Sequence, residues 1–285
     1  MKKFKVGVIG NGFVGEAISF AFSPVADLYV YDTDPLKSLD DLESVHSCDF
    51  VFICVPTPMN NDGTQMISIL NNVITDISTL KFSPLVVIKS TVLPKHLSDI
   101  ENSGLEFIYN PEFLREKYAN EDFINSELIL FGGQKNLTDY LAEFYKNHTN
   151  CVNKKYQQTD LVSASLIKYS INTFLSNKVI FFNELHNVFE ESGSKDSWDN
   201  ITKIISSDKR IGASHMQAPG HDGKFGFGGP CFPKDCQALF SYSKELGKPM
   251  TLLKQVIETN NAIRNSYETL SNREIEQNVN YKDNK

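Results

Sequence analysis

Long apolar runs are missing from this sequence: none approaches the roughly 20 residues that span a bilayer as a helix. The N-terminus runs from Lys2-Lys3 straight into a short strand, without the apolar core and cleavage site of a secretory leader. An excess of positive charge is missing too. The formal net charge of −7 and the pI near 5.4 argue against nucleic acid or an anionic membrane as the main partner. The five cysteines (48, 54, 151, 231 and 236) are odd in number and lack metal-ligand spacing. Six histidines are equally dispersed, so reduced thiols and no metal site are expected. There is no internal repeat and no low-complexity tract. What remains is ordinary for a cytoplasmic globular protein: 41% hydrophobic and 22% charged residues, in a 285-residue chain long enough for two domains.

The clearest positive signal opens the chain. Phe4 to Ile9 is a short apolar strand, Gly10-Asn11-Gly12-Phe13-Val14-Gly15 follows, and Ala17 to Phe22 has helical character. A second strand, Asp27 to Tyr31, ends at Asp32. A bare glycine triplet of this kind is weak evidence. Set between strand and helix, with an acid about 20 residues on, it is a dinucleotide fingerprint. Gly10 permits the tight turn, Gly12 lets a pyrophosphate approach, and Gly15 lets the helix pack on the sheet. The pyrophosphate then sits at the helix N-terminus beside Phe13 and Val14. Asp32 accepts hydrogen bonds from ribose hydroxyls and repels a 2′-phosphate, which favours NAD over NADP.

Strand and helix signals go on alternating. Phe50 to Val55 is a continuous apolar run stopped by Pro56-Thr57-Pro58, as in a buried parallel strand. Leu85 to Ile88 leads to Lys89-Ser90-Thr91, and Phe107 to Tyr109 leads to Asn110-Pro111-Glu112. With Leu128 to Phe131, a sheet of about six strands is expected. Ligands of such sheets bind at the C-terminal strand ends, so Pro56, Thr57, Thr91 and Glu112 are expected near the cofactor.

The pattern changes near Thr159. From Asp160 to Glu191 there is neither proline nor glycine, and apolar residues recur at helical spacing. A helix of about 30 residues, some 45 Å long, is expected there. Lys168 and Asn172 lie four apart and share one face. Further on, Gly226-Phe227-Gly228-Gly229-Pro230-Cys231-Phe232-Pro233-Lys234-Asp235 sets a thiol between a glycine-rich approach and a helix start. Pro233 suits the first helical position. Unpaired N–H groups and the helix dipole there favour thiolate, the nucleophilic form. A lone cysteine is more often buried and inert. The reading is of three parts: a Rossmann-type domain over 1–158, a helical domain with the long helix over 159–274, and a frayed polar tail over 275–285.

These motifs, in this order from residue 4 to about residue 265, resemble the UDP-glucose/GDP-mannose dehydrogenase family. The matching strings are the glycine turn, Val55-Pro56-Thr57-Pro58, Lys89-Ser90-Thr91-Val92, and Asn110-Pro111-Glu112-Phe113-Leu114-Arg115-Glu116. Leu166-Ile167-Lys168-Tyr169 with Asn172, and the Cys231 decapeptide, complete them. The resemblance implies an α/β fold, an N-terminal Rossmann-type doubly wound sheet followed by an all-helical central domain. It also implies an NAD enzyme that oxidises the C6 alcohol of a nucleotide sugar to the carboxylate. By the same resemblance Cys231 is the nucleophile, Lys168 and Asn172 stabilise oxyanions, and Asp235 handles protons and water beside Thr91, Glu112 and Glu116. Phe113, Leu114, Phe225, Gly228 and Lys234 match substrate-binding positions, and Arg210 matches an arginine that reaches a neighbouring subunit's substrate in a homodimer built on the long helix.

One departure stands out. Family members continue for roughly a hundred residues more, into a third domain that covers the substrate's nucleotide. Two other readings stay open at this point: a thiol-independent, two-domain alcohol or hydroxyacid dehydrogenase, and an NAD-binding subunit that needs a partner lid.

Overall fold

The computed structural model describes residues 3–80, 84–267 and 269–282. They fall into two compact units, Met1–Thr57 with Met66–Lys168, and Pro58–Gln65 with Tyr169–Lys285.

The first unit alternates strand and helix from its start. In order come β1 (Lys5–Ile9), α1 (Phe13–Phe22), β2 (Asp27–Tyr31), α2 (Leu42–His46), β3 (Phe50–Ile53) and α3 (Ser68–Ser78). Then follow β4 (Leu85–Ile88), α4 (Pro94–Asn102), β5 (Phe107–Tyr109), a 3-10 turn (Glu116–Tyr118) and α5 (Ala119–Ile124). β6 (Ile129–Gly132), α6 (Lys135–His148) and β7 (Tyr156–Thr159) close the sheet. The strands lie in the order β2-β1-β3-β4-β5-β6-β7. All neighbouring pairs are parallel except β5 and β6, which run antiparallel and pair at Tyr109 and Gly132.

The sheet has seven strands rather than about six. β7 was not expected, because Tyr156-Gln157-Gln158-Thr159 carries no apolar run and its two glutamines are exposed, as an edge strand allows. Alternate strand residues feed two separate cores. Val6, Val8, Phe50, Phe52, Val87, Ile108 and Phe131 join α1, α5 and α6 on one face. Ile9, Val51, Ile53, Val86, Ile88 and Tyr109 join α3 and α4 on the other. Burial on both faces is what makes these strands read as continuous apolar runs. The first core is strongly aromatic, with Phe50 stacked on Phe144 at 3.9 Å between centroids. A doubly wound sheet is therefore present, and its strand order reverses at β1, between β2 and β3.

α7 (Leu161–Glu191) is the expected long helix, 31 residues. The division between the units falls inside it, after Lys168, and not at residue 158. The second unit is otherwise helical: α8 (Trp198–Ser206), α9 (Phe232–Glu245), α10 (Thr251–Arg264) and α11 (Asn272–Glu276). It also takes in a short excursion whose ends bridge at Met59 and Gln65. A small core of Phe182, Trp198, Met216 and Ala218 anchors α8 to α7.

The frayed tail is a further difference. α11 starts with a capping box at Ser271 and Glu274, and beyond it Val279 and Tyr281 are buried. The Met59 amide donates to the Gln277 carbonyl, and Asn278 Nδ2 donates to the Met59 carbonyl. Residues 283–285 of that expected tail lie outside the described residues.

Candidate active site

In the first unit, the turn after β1 is shaped by its glycines. Gly10 has φ 94°, and a Cβ on it would meet the Cys54 carbonyl oxygen at 2.8 Å, so backbone conformation and space both require glycine. Gly12 is the opposite case. A Cβ there would meet nothing within 4 Å, which leaves room at the N-terminus of α1. Phe13, Val14 and Gly15 form the first turn of α1, with Gly15 pressed against the Gly10 carbonyl. The carboxylate of Asp32, just past β2, accepts from the Asn11 amide at 2.6 Å and from the Asp34 amide at 2.8 Å. The acid is thereby fixed beside the glycine turn. An open helix N-terminus with an oriented carboxylate one strand away fits a dinucleotide: phosphates at the amides, ribose hydroxyls at Asp32.

The loops that follow the strands are stitched to one another. Thr57 Oγ1 donates to the Thr91 carbonyl at 2.8 Å, and Ser90 Oγ donates to the Val55 carbonyl at 2.6 Å. Pro56 is exposed in the same loop. Beneath lies a buried lysine, Lys89, whose Nζ donates to Asn110 Oδ1 at 3.1 Å and stands 5.3 Å from the Phe123 ring centre. Burial pushes this ammonium down to about 8, against a partial pull upward from Cys54 and Glu112. Asn110 also accepts from the Tyr145 hydroxyl at 2.8 Å and donates to the Leu130 carbonyl at 2.9 Å. A cavity of about 20 Å3, room for one water, is lined by Lys89, Asn110, Glu112, Phe113, Tyr145 and Cys151 among others.

Glu112 and Lys168 form the second feature of this unit, and both are buried. Lys168 Nζ donates to the Glu112 carbonyl at 2.6 Å and to Oε1 at 3.3 Å, and lies 5.2 Å from the Phe113 ring centre. Glu112 Oε2 accepts from the Leu114 amide at 2.6 Å. A buried pair of this kind is stable only as a pair, since either partner alone would be an uncompensated charge. Glu116 is exposed at the start of the 3-10 turn.

In the second unit, Cys231 is the N-cap of α9. Phe232 is the first helical residue and Pro233 the second, one position later than expected. The first helical hydrogen bond runs from the Asp235 amide to the Cys231 carbonyl at 3.0 Å. Asp235 is 1% exposed, and its carboxylate is held from two sides, by Lys234 Nζ at 2.6 Å and Asn172 Nδ2 at 2.6 Å. The other four thiols differ from Cys231 in environment. Burial pushes Cys48, Cys54 and Cys236 up to about 12 and raises Cys151 as well, which removes them as nucleophiles near neutral pH. Cys231 is half-buried.

Sequence reasoning did not find the groups that hold the glycine loop before Cys231. The Phe225 amide donates to the Tyr267 hydroxyl at 2.9 Å, Gly226 to Asn183 Oδ1 at 2.7 Å, and Phe227 to Asn260 Oδ1 at 2.7 Å. A Cβ on Gly228 would collide with the Arg264 guanidinium. The available signal was polar side chains on otherwise apolar helix faces, Asn183 on α7 and Asn260 on α10. Lys178 was missed in the same way; its Nζ donates to the Ile211 and Gly212 carbonyls, 2.9 Å each, and fixes the turn after Arg210. Arg210 itself is exposed and pairs with Asp208.

The expected residues thus gather within each unit. Gly10 to Gly15 with Asp32, Thr57 with Thr91, and Glu112 with Leu114 and Lys168 belong to the first. Asn172 with Lys234 and Asp235, and Phe225 to Cys231, belong to the second. Lys168 and Asn172 stand one turn apart on α7.

Comparison with known proteins agrees with this arrangement. Residues 29–149 match the model of the NAD binding domain of the UDP-glucose/GDP-mannose dehydrogenase family, and residues 162–262 match that of its central domain. The UDP-glucose 6-dehydrogenase of Rickettsia bellii is 38% identical over 226 residues, covering 76% of this chain and 50% of its own length. The UDP-glucose 6-dehydrogenase AglM of Haloferax volcanii is 27% identical over 304 residues, covering 90% of this chain and 69% of its own. Among solved structures, a UDP-glucose dehydrogenase from the hyperthermophilic archaeon Pyrobaculum islandicum is similar with a TM-score of 0.78 at 27% identity, over 92% of this chain and 68% of that one. The chain therefore spans half the length of the Rickettsia relative. With two domain models of one family matched in order over most of its residues, and a dinucleotide turn ahead of them, the chain belongs to the UDP-glucose/GDP-mannose dehydrogenase family.

Proposed function

We propose that this chain oxidises the C6 alcohol of a nucleotide sugar to the carboxylate, as in UDP-glucose to UDP-glucuronate, with Cys231 as a covalent nucleophile. The observation that carries the reading is the start of α9, where a half-buried thiol precedes a buried carboxylate held by Lys234 and Asn172. Two NAD molecules, bound in turn, would each take up one hydride, one per oxidation. Between the two oxidations the Cys231 sulfur bonds to the aldehyde carbon and the carbonyl oxygen takes a proton, giving a thiohemiacetal. Its oxidation leaves a thioester. Water then adds at the carbonyl carbon, the C–S bond breaks, and the sulfur recovers its proton.

The neighbouring residues take roles that suit their hydrogen bonds. Lys168 Nζ spends two of its three protons on Glu112 and keeps one for the oxygen of the reacting carbon. Asn172 gives one amide proton to Asp235 and retains the other as a neutral donor. Asp235 takes the proton from the hydrolytic water, and Thr91, Glu112 and Glu116 order that water. The Phe113-Leu114 backbone, Phe225, Gly228 and Lys234 contact the sugar nucleotide. Arg210 contacts the substrate of a second copy in a homodimer. Phe174, Phe181 and Val188, exposed at every seventh position of α7, support that association.

The test counts NADH formed per sugar consumed, with UDP-glucose and GDP-mannose, for the parent and Cys231→Ser. Two NADH per sugar are expected from the parent and at most a single oxidation from the variant. Parent-level turnover in Cys231→Ser would instead indicate a thiol-independent alcohol or hydroxyacid dehydrogenase. NAD binding without NADH from either sugar would indicate a subunit that needs a partner.

A further inference from the structure

The segment after α10, whose end from residue 275 was expected to be a frayed tail, supplies a buried acid, Glu274, that holds the glycine loop ahead of Cys231. Four consecutive positions, Phe225 to Gly228, meet side chains of α7, of α10 and of Tyr267 just beyond it, and the loop adopts φ 73° at Gly226 and 78° at Gly229. Gly229, two residues before the thiol, donates its amide to Glu274 Oε1 at 3.1 Å. Glu274 is 5% exposed and accepts from three further donors: the Tyr281 hydroxyl at 2.5 Å, the Ser271 amide at 2.7 Å and Ser271 Oγ at 2.9 Å. Burial works against its charge, but these donors outweigh it and hold the carboxyl below the usual range.

Two observations show that the carboxylate is built into the loop. A Cβ on Gly228 would lie 2.8 Å from Glu274 Oε1, so the loop backbone and the acid are in close packing. Arg264, 5% exposed, closes the other side: Nη1 donates to Asp222 at 2.7 Å and Nη2 to the Gly226 carbonyl at 3.3 Å. The acid is itself presented by a tied-down segment, since the Val279 amide donates to the Glu274 carbonyl at 2.9 Å and Val279 and Tyr281 are buried.

We propose that Glu274 is the positioning residue for the Cys231 nucleophile: braced by Ser271 and Tyr281, it fixes Gly229, and with it the entry of the chain into α9 and the place of the thiol. This rests on the reading of Cys231 as the nucleophile. A displacement of about 1 Å at a reacting atom costs up to about 100-fold in rate, so partial release of Gly229 has a measurable consequence.

The experiment uses the full chain with Glu274→Gln and Tyr281→Phe. In Glu274→Gln an amide N–H2 must face donors that the carboxylate accepted, so the brace is broken at near-constant volume. Tyr281→Phe removes a single hydroxyl and is the milder variant. Readouts are the rate of iodoacetamide alkylation at Cys231, followed by peptide mass, together with kcat, KM for UDP-glucose, and NAD affinity by fluorescence. Glu274→Gln is expected to slow alkylation and kcat about tenfold and Tyr281→Phe about threefold, with NAD affinity within about twofold of the parent and KM for UDP-glucose changed less than kcat. Alkylation and kcat within about twofold of the parent in Tyr281→Phe would overturn the proposal, and so would a change confined to KM. If Glu274→Gln does not fold, Tyr281→Phe decides alone. Alkylation needs no sugar, so the two ideas fail separately. Slowed alkylation in an enzyme that turns over without its thiol would remove the dehydrogenase mechanism but keep the brace.

Discussion

Replacing Lys89 with methionine removes a buried charge while keeping an unbranched side chain of similar length. Lys89 is 3% exposed, and among the described residues its ammonium has one hydrogen-bond acceptor, Asn110, with the face of Phe123 for company. Cys54, Glu112 and Cys151 draw its proton affinity up and Lys168 draws it down, but burial dominates and brings it to about 8. The folded value lies below the free lysine value of 10.5, so the charged form is disfavoured by folding. That cost is fully present below pH 8 and lifts as pH rises from about 8 to about 10.5, because the unfolded chain then holds the proton that the folded chain has lost. At about 1.4 kcal/mol per pH unit, the parent should gain about 3 kcal/mol relative to Lys89→Met across that window. Asn110 Oδ1 still accepts from Tyr145 in the variant, so no buried acceptor is orphaned to mask the effect. Urea unfolding followed by circular dichroism, on both proteins at several pH values, gives the difference directly. The buried thiols lose stability over the same range, but they do so in both proteins and cancel. Parallel stability curves for parent and variant between pH 8 and 10.5 would refute the reasoning.

Two further outcomes are expected. Asp32→Ala should weaken NAD at least about tenfold in a binding titration, since hydrogen bonds to a charged acceptor are worth about 1.5–3 kcal/mol, and should narrow the preference over NADP; unchanged affinity for both would remove Asp32 from the cofactor site. Phe181→Glu, on the exposed stripe of α7, should shift the chain from dimer to monomer by light scattering with little change in melting temperature, and a parent that is already monomeric would end the dimer reading.

Legibility in the sequence followed the range of the interactions. The turn Gly10 to Gly15 and the helix over 161–191 are local statements: positive φ and close backbone approach demand glycine, and 31 residues without glycine or proline leave a helix uninterrupted. β7 was invisible because pairing at a sheet edge needs no apolar side chains. The tail was misread for a different reason. Its composition is polar, yet Ser271-Asn272-Arg273-Glu274 immediately before it is a capping box, a short-range signal of the helix that runs into it. Among candidate site residues, Cys231 stood out through its neighbours in sequence, and Lys168 and Asp235 through the family resemblance. Asn183, Asn260 and Glu274 hold the loop at Phe225 to Gly229 from 33 to 45 positions away, and no spacing rule reaches that far.

The antiparallel junction between β5 and β6 gives the sheet an internal seam. Among the described residues the ladder there is a single pair, Tyr109 with Gly132, and the strands are otherwise joined by the Asn110 side-chain amide reaching the Leu130 carbonyl. Elsewhere the sheet is closed by ladders of several backbone pairs, which most substitutions leave in place; at this seam a single backbone pair is backed by one asparagine side chain, which a single codon change can remove. β6 and β7 are thus the strands that amide exchange should find opening ahead of the five that carry the glycine turn, while α6 stays packed on Phe50 and α1. A fold can in this way keep its cofactor strands while its far edge comes and goes.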